Sequence, residues 1–356
     1  MADSITEKFP EMMNLVLKNT GSAPIHHCLL YLNDPTRDVC FHQAVGTVGP
    51  TGEPMTAAFR FRTGSITKLF TATLILQLLE EGKLELDAPL LEMVNPELRL
   101  ALGDLLWHEG QNHTSAITVR HLLGHRSGLP DYFSADERFF AQVRQFPQQS
   151  WSWQAVLQKY HELGLHHKGA GKPGATFHYA DTNYLLLALL VEELEAQAFH
   201  LTLRQKILLP LALENSHLEF FEAEKSPLNM AYPFYGPHSL QGIDTSFDWG
   251  GGGLVSTAEE LDVFIRSLLK GEFFQRRETL DTMCLVAEPQ KRTSQALGLQ
   301  RKTFSGYHFW GHSSAYGALL FYAPERNLSI VVCLNQALAL HKAEWLLHKV
   351  LNAYLD

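Results

Sequence analysis

Ser65-Ile66-Thr67-Lys68 constrains this chain more than any other segment. It follows an alternating run, Ala58-Phe59-Arg60-Phe61-Arg62-Thr63-Gly64, and opens an apolar stretch over residues 69–79. Alternation reads as a strand and the apolar stretch as a buried helix. A strand therefore delivers a serine to the first turn of a buried helix. Lys68 lies three residues on, one turn along the same face. A helix amino terminus favours negative charge near the serine, and a neighbouring amine can share or accept its proton. Together these activate a hydroxyl that is otherwise a poor nucleophile. Taken singly, the spacing is also that of an ordinary helix start, and two later segments strengthen it.

The first is Phe177-His178-Tyr179-Ala180-Asp181-Thr182-Asn183-Tyr184. It follows Pro173-Gly174 and precedes the apolar run 185–191, which puts Tyr179 in a turn at the mouth of a second buried helix. The second is Tyr307-His308-Phe309-Trp310-Gly311-His312-Ser313-Ser314-Ala315-Tyr316-Gly317, followed by strand-like runs at 319–322 and 329–334.

With these three segments in this order, the chain resembles the serine β-lactamase and penicillin-binding superfamily on its class C side. That branch includes D-alanyl-D-alanine carboxypeptidases, D-aminopeptidases and β-lactamase-like esterases. Its members carry S-x-x-K, then Y-x-N, then K-T-G or H-x-G. Residues 80–87, 117–130 and 251–261 also resemble the family's stretches, in order. The resemblance implies an α/β (α+β) fold, with an antiparallel sheet flanked by terminal helices, an inserted helical domain and a cleft between them. It implies that Ser65 is the nucleophile and forms an acyl-enzyme, with Lys68 and Tyr179 sharing the general-base work. The backbone N–H groups of Ser65 and Ala315 would hold the oxyanion. Asp181, His312 and Ser314 would face the substrate, His312 bonding a substrate carboxylate or Tyr179. An ammonium at Lys68 is expected to lower the Tyr179 pKa. No metal or organic cofactor is implied.

Two residues depart from the family pattern. Asp181 stands where most members have asparagine, and Ser314 where the third motif has glycine. Asparagine can donate to a substrate amide carbonyl and a carboxylate cannot. Ser314 adds bulk on the strand expected to lie along the substrate. Both argue against antibiotic hydrolysis more than against acyl transfer.

Strands are expected at 25–32, 39–45 and 58–62, with more between 295 and 334, and a last helix over 337–354. The economical architecture is one sheet built from both chain ends, residues 1–84 and 291–356, with a mainly helical domain, 85–290, inserted. The net charge of -9, with no Lys/Arg-rich run, argues against nucleic-acid binding. No apolar run reaches membrane-spanning length. The first twenty residues lack a signal peptide's basic-then-apolar layout, so the protein is expected to be cytoplasmic if Met1 is its native start. Cys28, Cys40, Cys284 and Cys333 form no C-x-x-C pair and read as small buried hydrophobes.

Several other features have plainer readings. Gly250-Gly251-Gly252-Gly253 lacks the Lys-Ser/Thr of a phosphate loop and reads as a close-packed turn before a helix. There Ser256 or Thr257 can open a capping box and Gly271 can close the helix. His121-x-x-x-His125 lacks a zinc protease's adjacent glutamate. His26-His27 alternates across a strand, and His166-His167 is no more persuasive as a metal site. The first functional reading is a cytoplasmic serine hydrolase acting on esters or small amides, a β-lactamase-like carboxylesterase, and the expected partner is a small-molecule ester, amide or peptide substrate. The alternatives are a D-stereospecific peptidase or β-lactamase, an acyltransferase, and a non-catalytic scaffold.

Overall fold

Apolar runs from both ends of the chain meet in one antiparallel sheet in the computed structural model, which describes residues 5–18, 21–50, 52–223 and 225–355. Met1, on which the expected location rests, lies outside the described residues. In chain order the strands are β1 (His27–Asp34), β2 (Val39–Gly46), β3 (Arg60–Arg62), β4 (His217–Leu218), β5 (Met230–Ala231) and β6 (Leu254–Ser256). They continue with β7 (Thr293–Gln295), β8 (Gln300–Phe304), β9 (Tyr307–Ser313), β10 (Ala318–Ala323) and β11 (Leu328–Cys333). Short hairpins occupy 107–112 and 234–239. The helices that matter here are α1 (Phe9–Leu17), α2 (Thr67–Glu80), α3 (Pro96–Leu102), α4 (Trp153–Glu162), α5 (Thr182–Glu195), α6 (Ala258–Lys270) and α7 (Leu340–Leu355).

The large sheet has seven strands in the order β7-β8-β9-β10-β11-β1-β2. The two chain ends join where β1 pairs with β11, Leu30 opposite Val332. Side chains alternate across a strand, so Leu29 and Tyr31 pack with Leu320, Val331 and Cys333 on one face. Leu30 and Leu32 pack with Leu319, Phe321, Ile330 and Val332 on the other, against residues of α1 and α7. Burial on both faces explains why these strands read as unbroken apolar runs. Cys40, by contrast, is exposed on β2, against the expectation of a buried thiol. Trp345 is also exposed on α7.

The alternation at 58–62 predicts a third N-terminal strand of this sheet. In the structure β3 belongs instead to a second sheet, ordered β4-β6-β3-β5. It is antiparallel to β6 and parallel to β5. Two buried arginines account for this placement. Arg60 Nε donates to the Leu228 carbonyl at 3.0 Å, and Arg62 Nη2 donates to Glu219 at 3.0 Å. Both acceptors lie in the middle of the chain, beside β4 and β5.

Helices α2 and α5 are apolar on all sides and buried almost throughout, as a core-crossing helix must be. Helix α6 is amphipathic and, though it comes from the middle of the chain, packs on β10 and β11. Thr257 caps it, accepting from Glu260 N–H, and Gly271 ends it with φ +84°. The Glu260 carboxylate does not complete a capping box; it accepts from Asn215 and Ser216. Asp262 on α6 accepts from Tyr31 and Asn33 of β1, while Arg266 donates to Asp262 and to Ser329 of β11. One buried ion pair thus ties the helix to both halves of the sheet. Among the described residues no helix is long and apolar enough to cross a membrane.

Candidate active site

Ser65 sits in a single 3-10 turn, Gly64–Ile66, between β3 and α2. Gly64 has φ +54°, and a Cβ there would lie 2.2 Å from Ser314 Oγ. Glycine is therefore needed both for the backbone conformation and for space. This settles where the Ser314 side chain goes. It is fully buried, turned toward Gly64, and its Oγ accepts from Tyr316 N–H at 3.3 Å.

Lys68 is fully buried on the first turn of α2. Its ammonium donates to Ser65 Oγ at 3.3 Å, to the Gly251 carbonyl at 2.7 Å and to the Asp181 carboxylate. An ammonium has three donors, and three acceptors take them. Burial opposes the charge, but Asp181 and Tyr179 more than offset it, so Lys68 holds its proton well above the ordinary lysine range.

Tyr179 lies in the turn before α5, and its hydroxyl donates to Ser65 Oγ at 2.9 Å. Its pKa is pushed up to about 12 by burial, against the lowering effect of Lys68. Lys68 acts in the expected direction, but the net shift is upward, because a phenolate loses more on leaving water than the nearby ammonium returns, and Asp181 adds repulsion. The ring stacks on His125, centroids 4.2 Å apart and planes 24° apart. His125 is itself pinned, with φ +52°. Its Nδ1 accepts from Ala180 N–H at 3.2 Å. In the sequence it stands out only as half of a histidine pair, because its contact with the Tyr179 turn is non-local.

His312 is buried on β9, its ring centroid 6.3 Å from that of Tyr179. Its Nδ1 bonds to the Ser313 carbonyl at 2.7 Å, so Nδ1 carries the proton and Nε2 is left as an acceptor. Burial and the Lys68 charge lower its pKa to about 3. A neutral ring offers no positive charge to a substrate carboxylate.

Ser65, Phe133, Asp181, Asp248, Ala315 and Tyr316 line one small cleft of about 40 Å³. The Ala315 amide has no acceptor among the described residues. Asp248 and the tetraglycine carry no recognisable motif, yet both belong here. Asp248 Oδ2 accepts from Tyr316 at 3.0 Å, and burial followed by repulsion from Asp181 raises its pKa to about 7. Behind Asp181, Asp131 accepts from the Asp181 N–H at 2.9 Å; burial and Asp181 raise its pKa to about 6. A cavity of about 650 Å³ lies elsewhere, beside Leu98, Trp153 and Glu193. A second one, of about 510 Å³, shares Tyr316 with the cleft and is walled by Phe140, Val143, Leu240 and Phe247. Phe133 bridges the two, in ring contact with Phe140 and Phe247.

The beta-lactamase family model matches residues 38–352, and the chain belongs to that family. Protein flp of Staphylococcus aureus (strain MW2) is 23% identical over 334 residues, covering 83% of this chain. The chain spans 60% of the length of that relative. A D-stereospecific amidohydrolase from a Streptomyces species has a TM-score of 0.77 at 23% identity, covering 94% of this chain and 97% of its own. The D-amino acid amidase of Ochrobactrum anthropi SV3, complexed with L-phenylalanine amide, also has a TM-score of 0.77, at 19% identity, and covers 98% of each chain. These likenesses establish the fold.

The Gly64–Ser314 contact makes a direct prediction. Gly64→Ala should cost about 1–2 kcal/mol for the left-handed backbone and about 1–3 kcal/mol more for overpacking against Ser314. Ser314→Gly in the same chain should recover most of the second part and none of the first, since Tyr316 Cδ2 would still lie 3.0 Å away. Urea denaturation of the two single variants and the double variant checks this.

Proposed function

We propose that this protein is a serine hydrolase that cleaves small amides and esters through a covalent acyl-enzyme. The observation that carries the reading is Ser65 Oγ within hydrogen-bond reach of both Tyr179, at 2.9 Å, and Lys68, at 3.3 Å. Lys68 is held cationic, so it cannot be the proton acceptor; Tyr179, as phenolate, is the base. Ser65 Oγ attacks the carbonyl carbon as its proton passes to Tyr179. The oxyanion is received by the Ser65 and Ala315 amides. Collapse breaks the bond to nitrogen or oxygen, and Tyr179 returns the proton to the leaving group. Water then attacks the acyl-enzyme, giving a proton to Tyr179, and Ser65 regains its own.

The surroundings favour substrates with a cation beside the scissile carbonyl, such as amino acid amides, over simple esters. Asp181 and Asp248 line the cleft, and neutral His312 presents an acceptor. The solved neighbours named as D-amino acid amidase and D-stereospecific amidohydrolase support an amide of D configuration. The adjoining aromatic-walled cavity suits an apolar side chain. A carboxypeptidase, whose substrate ends in a carboxylate, fits this acidic cleft poorly.

A fluorophosphonate probe should label Ser65 alone, read by intact mass and peptide mapping; labelling that persists in Ser65→Ala would remove the nucleophile from this account. With a base pKa of about 12, the phenolate fraction at pH 7 is about 10⁻⁵. It grows tenfold per pH unit, so kcat/KM for p-nitrophenyl acetate should climb with unit slope through the alkaline range. Tyr179→Phe should flatten that slope and lower kcat by about 10²–10⁴. Asp181→Asn removes a group that raises the Tyr179 pKa, so the climb should begin at lower pH. Asp248→Asn preserves the bond from Tyr316 but removes charge. It should cut kcat/KM for D-phenylalanine amide about ten- to a hundredfold and leave p-nitrophenyl acetate nearly unchanged. Equal losses on both substrates would contradict the ammonium subsite.

A further inference from the structure

Away from the cleft, the chain gathers Asp104, His161 and His166. Asp104 lies just past the end of α3. His161 is in the last turn of α4. His166 is in the 3-10 turn Leu165–His167, entered through Gly164 with φ +65°. That left-handed residue turns the chain back, which is how two histidines five apart come to face one another. Their ring centroids are 4.7 Å apart. One ligand atom from each of the three residues lies within 4.8 Å of the others.

Two independent features suit this cluster to a metal. His166 Nδ1 is shielded from solvent and has no hydrogen-bond partner, a costly state for a buried polar atom. Asp104 is already oriented: its Oδ1 accepts from Trp107 Nε1 and, at 3.3 Å, from Asn112 Nδ2. Such outer bonds are what aim a carboxylate ligand, and they leave Oδ2 without a hydrogen bond among the described residues. His161 also lines the large cavity together with Glu97, Glu192 and Glu193, a carboxylate-rich wall that attracts cations.

We propose that Asp104, His161 and His166 bind a first-row divalent cation of the imidazole-preferring class, with Zn²⁺ as its best representative. Two imidazoles and one carboxylate are borderline ligands that suit Zn²⁺ and reject Mg²⁺. Tetrahedral Zn²⁺ needs ligand atoms about 3.3–3.5 Å apart. Separations of at most 4.8 Å therefore close by up to about 1.5 Å, within the range of side-chain adjustment at a helix end and a turn. Water completes the fourth position. The ion joins the end of α3 to the end of α4, and none of Ser65, Lys68 or Tyr179 lies on either helix, so it acts as a staple and not in the hydrolytic chemistry.

The test uses the full chain, stripped with chelator and freed of any histidine tag. Isothermal titration with ZnCl₂ should give one saturable equivalent and a raised Tm, since a ligand that binds only the folded state stabilises it. MgCl₂ should give neither. His166→Ala and Asp104→Asn, each checked for an unchanged circular dichroism spectrum, should weaken binding about tenfold or more and abolish the Tm shift. Fluorophosphonate labelling of Ser65 should be the same with and without Zn²⁺. The chain carries 18 histidines, so weak, multi-equivalent binding that survives both substitutions would mean scattered surface binding and would overturn the proposal. The absence of any saturable Zn²⁺ binding would overturn it equally. If His166→Ala does not fold, Asp104→Asn alone decides.

Discussion

Everything at the centre of this molecule depends on one buried ammonium. Lys68 is cut off from water, and stripping a charge of its hydration costs several kcal/mol even after relaxation. The fold meets that cost with three acceptors, one from its own turn and two from distant segments: Ser65, Asp181 before α5, and the Gly251 carbonyl. Removing any one acceptor leaves an uncompensated donor in the core. The cation therefore holds the nucleophile's turn, the tyrosine turn and the tetraglycine in register. It also explains the glycines. A Cβ at Gly250 would lie 2.5 Å from that of Ala188 on α5, so only bare backbone can come close enough for its carbonyls to be used. Trp249, just before them, takes φ +33°, a conformation that surrounding structure must impose on a bulky residue.

The same ion pair sets the proton inventory of the cleft. Asp181 keeps the proton on Lys68 and, by repulsion, helps keep protons on Tyr179, Asp131 and Asp248. In the proposed reaction this cleft receives a cationic substrate. A substrate ammonium would favour the ionised form of Asp248 and supply the positive charge that the acidic cluster lacks. Asparagine at 181 would have left Lys68 with a neutral partner and the cleft with a different polarity. This one substitution in the motif alters the acid–base chemistry of several residues around it.

Much of the fold was legible in the sequence because burial writes itself into residue order. Strands buried on both faces gave the strand-like runs at 319–322 and 329–334, and helices buried on all sides gave the apolar stretches at 69–79 and 185–191. These local patterns placed Ser65 and Tyr179 at turns entering buried helices. Where a long-range partner decided the outcome, the pattern misled. β3 alternates like a strand of the large sheet, but Arg60 and Arg62 find their acceptors in the middle of the chain and draw it into the small one. Ser314 reads as bulk on the strand along the substrate; it does border the cleft, and a glycine distant in sequence makes room for its hydroxyl.

The sequence by itself determined that a serine and a lysine share one helical turn, that a tyrosine waits at another helix entrance, and that the chain ends form a sheet. Those outcomes follow from spacing and hydropathy, which act over a few residues. Tertiary structure alone decided that Tyr179 is held above its ordinary pKa, that His312 is neutral, that Asp248 and Gly251 join the cleft, and that Asp104 meets His161 and His166. Each of these turns on desolvation or on contacts between residues far apart in the chain. Desolvation depends on what surrounds a group in three dimensions, and no local run of residues specifies that.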